Sequence, residues 1–196
     1  MKKNEFALFS KLLVLMLAVT IFSCIPEDFS DQDVESSEIL AARNNEADQN
    51  QLLASIKQST AKFQRVEEAV AAGYMPASPC VFVPGLGAMG IHYVKFMLVD
   101  EIVDPTQPEA LLYEPMKNGR LNLVGVEYIV NATDFEDGHD VPMLGNKEMD
   151  NHLHGAPLGF PHYQLHVWVW KNNPNGMYTP FNPKVSCEYY EGDIAH

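Results

Sequence analysis

Between Asp48 and Tyr74 the apolar residues Leu53, Ile56, Phe63, Val66, Val70 and Tyr74 recur at steps of three, four or seven, and no comparable run follows. Such steps line one face of an α-helix. Asp48 or Asn50 can cap its start, and Gly73 stands where a left-handed residue ends helices. The spacing predicts one long amphipathic helix over 48–74. Its apolar stripe must be buried, and with no second helix to receive it the partner is a sheet.

The remainder of the chain reads as strands. Ile91–Val99 is continuous enough for a buried strand, and 110–114 and 120–130 flank Pro115-Met-Lys-Asn-Gly119, where Asn118-Gly119 suits a tight hairpin turn. A fourth strand runs from His162 to Trp170. Alternating β-branched and aromatic residues, punctuated by Pro and Gly, predict a single α+β domain over 48–196: one long N-terminal amphipathic helix packed on a curved antiparallel β-sheet.

Period two decides which polar side chains share a face with apolar ones. His92 falls in line with Val94, Phe96 and Leu98. Glu127 falls in line with Leu121, Leu123, Gly125 and Ile129, and His166 with Gln164, Trp168 and Trp170. A buried ionisable group must be paired, protonated or bound to metal. If the three strands are neighbours, His92, Glu127 and His166 converge as two imidazoles and a carboxylate, a set suited to zinc, or to an open iron or copper site.

Four of the seven histidines crowd into His152–His166. His162 and His166 are four apart, about 13 Å in an extended strand, so one ion holds both only across a turn or bulge after Pro161. His152 and His154 are about 6.6 Å apart if extended, a workable chelating pair, and with a later histidine they form a second constellation. The structural alternatives are hydrogen-bonded core histidines, Glu127 paired with Lys95, Arg120 or a backbone amide, an exposed loop for His152 and His154, and solvated rings at His139 and His196. The tryptophans read as core.

The connection from Asn131 to Pro161 is long for a compact domain and reads as a movable lid hinged at Gly138, Gly145 and Gly155. Its acidic residues do not match an EF-hand loop. Pro84-Gly-Leu-Gly-Ala-Met-Gly90 lacks the order of a phosphate loop and precedes a strand, so its glycines serve close backbone approach beside His92. No Gly-x-Ser-x-Gly elbow or reactive cysteine supports nucleophilic hydrolysis.

At the N-terminus Lys2, Lys3 and Lys11 precede the apolar run Leu12–Phe22, too short for the roughly 20 residues that span a bilayer, and hence an export signal. Its end, Ile21-Phe-Ser-Cys24, resembles the lipobox of bacterial lipoproteins. The resemblance implies cleavage after residue 23, acylation of Cys24 and membrane attachment, with plain secretion as the alternative. Glu27-Asp28 behind the cysteine is similar to the acidic patch of surface-displayed lipoproteins. Ile25 differs from the aspartate that retains such proteins at the inner membrane, which points to the outer membrane.

Without residues 1–23 the chain keeps ten basic and 25 acidic side chains, a net of −15, which argues against nucleic acid as a partner. Glu27, Asp28, Asp31, Asp33, Glu35, Glu38, Glu46 and Asp48 face only Arg43, so residues 24–47 read as an acidic, disordered tether. With Cys24 acylated, only Cys80 and Cys187 remain, in an oxidising space. They are predicted to be bonded, with paired soft metal ligands as the alternative.

Ala71-Ala-Gly-Tyr74, Ser78-Pro-Cys80, Gly87-Ala-Met-Gly-Ile-His-Tyr93, Leu112-Tyr-Glu-Pro115, Val124-Gly-Val-Glu-Tyr128, His162-Tyr-Gln-Leu-His-Val-Trp168 and Asn173-Pro-Asn-Gly-Met177 through Val185-Ser-Cys187 resemble an uncharacterised family of exported bacterial proteins. The resemblance spans residues 60–187 and implies that His92, Glu127, His162, His166 and both cysteines belong to family motifs. It implies no activity. Two classes stay open: a metal-binding lipoprotein with no assigned reaction, or a structural or small-molecule-binding module whose His and Glu residues form a buried hydrogen-bond network.

Overall fold

The computed structural model describes residues 31–154 and 157–192. The export signal, Cys24, the first part of the tether, Gly155 and His196 lie outside the described residues. The chain divides into two units at Ile39/Leu40; of the first only the start of a helix, from Asp31, is described, and the second carries the rest of the architecture that follows. It is α+β, with one N-terminal helical arm and an antiparallel sheet.

Helix α1 runs Asp31–Thr60, a 3-10 turn follows at Ala61–Gln64, and a short helix α2 spans Val66–Ala71. The single helix predicted over 48–74 is therefore interrupted. Ser59 Oγ and Thr60 Oγ1 both donate to the Ile56 carbonyl, at 3.0 and 2.6 Å, competing with the helical ladder. Arg65 is extended (φ −101°, ψ 114°). The break re-aims α2: Ala69 is buried, while Val70, expected on the stripe, is 55% exposed.

At its other end α1 reaches back to Asp31, so the segment read as a disordered tether is helical from that residue. Every side chain from Glu38 to Asp48 is exposed. The low burial expected there is present, but propagation from an already packed helix needs no new nucleus, and Glu, Ala, Leu and Arg continue it locally.

Among the described residues nine strands follow: β1 Met75–Pro76, β2 Val81–Val83, β3 Gly87–Val94, β4 Ala110–Pro115, β5 Leu121–Asn131, β6 Met143–Leu144, β7 Lys147–Glu148, β8 Asp150–His152 and β9 His162–Val167. The main sheet has the order β1-β3-β4-β5-β9-β8, with β2 also on β3, and β6–β7 is a separate hairpin. The β4–β5 turn closes at Asn118-Gly119 as expected, Gly119 N–H donating to the Met116 carbonyl at 2.9 Å. The strand predicted to reach Val99 stops at Val94, and Phe96–Leu98 form a 3-10 turn.

Gly90 has φ +90°, and a Cβ there would stand 2.5 Å from the Tyr113 carbonyl oxygen; at Gly87 (φ +104°) it would stand 2.3 Å from that of Asn182. Only glycine admits both the backbone conformation and the contact. Gly87 and Gly90 thus serve close approach, as the sequence implied, whereas Gly85 has nothing within 4 Å of its Cβ position.

The larger core cluster joins Ile56, Phe63 and Ala69 of the helical segments, and Tyr74 just after them, to Leu111, Tyr113, Leu123, Val126, Tyr128, Val130, Tyr163, Leu165 and Val167 of the sheet. Tyr113 OH donates to the Phe63 carbonyl and Trp170 Nε1–H to Thr60 Oγ1, anchoring the broken helix. The long 131–161 connection is not a bare lid among its described residues. It contains β6, β7 and β8, and buries Leu144 and Met149 in the same cluster.

Candidate metal centre

Antiparallel register places Val94, Ala110, Glu127 and His166 side by side in one row across β3, β4, β5 and β9, and His92, Leu112 and Gly125 in a neighbouring row of β3, β4 and β5. Paired residues, and residues two apart on a regular strand, share a face. The predicted convergence is therefore present, with Val94 and Ile129 clustered beside it and Trp168 against His166 as expected, but Leu123 leaves the face. Tyr113 pairs with Leu123 and Leu112 with Gly125, leaving Val124 as an inserted bulge residue. The bulge breaks period two, so Leu123 joins the helix-side core rather than the Glu127 face. The small Ala110 side chain stands in the row between β3 and β5, while the space over Gly125 is taken by Leu112 and Trp168.

His92 Nε2 lies 3.5 Å from Glu127 Oε2, and His166 Nε2 lies 3.6 Å from Glu127 Oε1. Donor atoms of all three residues fall within 4.8 Å of one another, the one such His/Cys/Asp/Glu group found among the described residues. The side chains are 13%, 5% and 0% exposed for His92, Glu127 and His166. The imidazoles meet edge to face at 5.9 Å, and Trp168 stacks on His166.

Burial dominates the electrostatics. It pushes Glu127 up to about 8, with the nearby Glu109 carboxylate adding to the rise. It pushes His92 down to about 4. His166 falls to about 3 through burial first, then the proximity of His92 and His152. Burial thus favours the uncharged carboxyl and the neutral imidazoles, which are badly paired with one another. Distances of 3.5 and 3.6 Å exceed the 2.7–3.2 Å of ordinary N–H···O bonds. Both ring nitrogens of His166 are buried without a hydrogen-bond partner, a costly state for an imidazole. A cation would answer it at Nε2 alone: donors about 2.1 Å from a tetrahedral ion stand about 3.4 Å apart, close to the two His–Glu separations, each of which runs to a different carboxylate oxygen.

The other candidates are elsewhere. His162, fully buried, donates from Nδ1 to the Phe160 carbonyl at 2.8 Å, with Nε2 3.2 Å from Gln164 Oε1. It stacks on His152 at 5.2 Å, and neither belongs to the donor group. β9 stays extended through both residues, so His162 and His166 do not converge, as the spacing argued. His154 is exposed in the turn after β8. His139 is not merely solvated: its ring contacts Tyr163 OH at 2.9 Å and the Glu136 carbonyl at 2.8 Å. Lys95 sits over the Tyr74 ring rather than against Glu127, and the tight carboxylate–ammonium pair is Glu114–Lys171 at 2.6 Å.

Cys80 and Cys187 form the predicted disulfide, their Cα atoms 5.8 Å apart and 107 residues apart in sequence, which removes them as metal ligands. Sequence reasoning missed Ser78, whose hydroxyl meets His92 Nδ1 at 2.9 Å. Its signals were its place in the Ser78-Pro-Cys80 segment of the family resemblance and its lying two residues before a bonded cysteine. Compared with known protein families, curated proteins and solved structures, the chain matches none.

Proposed function

We propose that this chain is an exported bacterial lipoprotein, acylated at Cys24 and held at the outer membrane, whose domain binds one transition-metal ion through His92, Glu127 and His166. The observation that carries the metal reading is the unpartnered His166 Nε2, fully buried beside a carboxyl group and a second imidazole. A closed hydrogen-bond network would have used that atom. Zinc, copper and iron all accept two imidazoles and a carboxylate, and three protein ligands leave a position for water or a small-molecule ligand. An ion so held would supply Lewis acidity to whatever occupies that position. Support for the anchor is the lysine-led apolar run ending in Ser23-Cys24.

The metal reading is tested by elemental analysis of the chain from Ile25 onward, exported through an oxidising compartment without chelator. About one equivalent of zinc, copper or iron is expected, lost in His92→Ala and His166→Ala and kept in His154→Ala. A metal-free wild-type protein would overturn the reading. For the anchor, the full chain expressed in a bacterium should incorporate labelled palmitate, and Cys24→Ala should abolish it; labelling that survives the substitution would refute Cys24 as the acylated residue.

A further inference from the structure

We propose that Ser78 is the positioning residue of this centre: it fixes His92 as the tautomer protonated at Nδ1 and thereby leaves the Nε2 lone pair for the ion. The inference rests on the metal reading above. Ser78 Oγ makes three contacts: it is 2.8 Å from the Pro79 carbonyl, 3.0 Å from the His92 backbone N–H and 2.9 Å from His92 Nδ1. A hydroxyl has one proton and two lone pairs. The carbonyl can only accept, and its contact is the shortest of the three, which places the proton toward Pro79. The His92 amide can only donate, so it takes one lone pair. The remaining lone pair then faces Nδ1, which carries the ring proton in this arrangement.

The ring then presents a bare Nε2 to Glu127 Oε2 at 3.5 Å. The serine is itself well held. Met75 and Pro76 pair with Val94 and Tyr93, Ala77 N–H donates to the His92 carbonyl at 2.8 Å, and the disulfide begins two residues later at Cys80. Pro79 confines Ser78 to extended backbone. His166 has no such orienting partner, since its Nδ1 is without a hydrogen bond. His92 is thus the preset ligand of the pair. Orienting groups of this kind typically change metal affinity 10- to 100-fold.

The test uses the chain from Ile25 onward, with zinc as the probe. Nitrogen-15 NMR of the metal-free protein, with His92 assigned by its loss in His92→Ala, should show the Nδ1–H tautomer. Ser78→Ala should shift that ring toward Nε2–H and weaken zinc binding about 10- to 100-fold, and Ser78→Thr, which keeps the hydroxyl, should restore both. A wild-type ring protonated at Nε2, or an unchanged zinc dissociation constant in Ser78→Ala, would overturn the assignment. An Nδ1–H ring in a wild-type chain that takes up no zinc would instead bring down the metal reading, and the positioning role with it.

Discussion

Glu127→Met is expected to abolish metal uptake and, in the same protein, to stabilise the metal-free fold by about 1–2 kcal/mol near pH 8. Methionine fills a similar volume without a polar atom, and the two histidines lose only contacts that are already too long to be hydrogen bonds. The gain should grow with pH. Glu127 has a folded-state pKa raised from 4.5 to about 8, so its favourable contribution is whole below pH 4.5 and is lost as pH rises through 8. Glu109, also raised to about 8 by burial, loses its share in the same window in both proteins. His92 and His166, lowered from 6.5 to about 4 and 3, act oppositely, favouring the fold above 6.5 and losing that as pH falls through their folded values. Urea unfolding of both proteins in chelator from pH 4.5 to 8 checks this. Saturating metal should reverse the order, because an ion that binds only the folded state adds stability to the wild type alone. A carboxylate with a structural role would leave the variant less stable at every pH.

The Cys80→Ala/Cys187→Ala double variant is expected to lose about 4 kcal/mol. The bond closes a sequence separation of 107 residues, and in the chain-entropy model a loop of about 100 residues gives up to about 4.7 kcal/mol. Both sulfurs lie in a second buried cluster with Ala88, Ile91, Leu112, Val124, Trp168 and Val185, so two small cavities add to the loss. The bridge also binds the C-terminal segment to the sheet. Ser186 N–H donates to Glu114, which pairs with Lys171, and these contacts should loosen together. Chemical denaturation of the oxidised wild type against the double variant measures the effect. A difference below about 1 kcal/mol would show that packing alone holds the segment.

The three donors of the site were legible because each is polar in an apolar row, and period two is a strong constraint on a buried strand. The place of Leu123 was not: one inserted residue, Val124, reverses the alternation, and nothing in Leu-Val-Gly-Val marks which residue will bulge. The helical arm was legible through Ile56 and Phe63, but the break before Arg65 depends on two hydroxyls competing for one carbonyl, an effect that periodicity does not register. His162 carried the same signal as His166 and differs only in having Phe160 and Gln164 to satisfy it. Ser78 escaped notice because its role exists only once β1 lies beside β3 and brings residues 14 apart together.

Anomalous diffraction from crystals of the zinc-loaded protein tests the central claim most directly. The account predicts one strong peak about 2.0–2.2 Å from His92 Nε2, His166 Nε2 and a Glu127 oxygen. A peak on His152 and His154, or zinc only at surface carboxylates with the three-residue pocket empty, would contradict it.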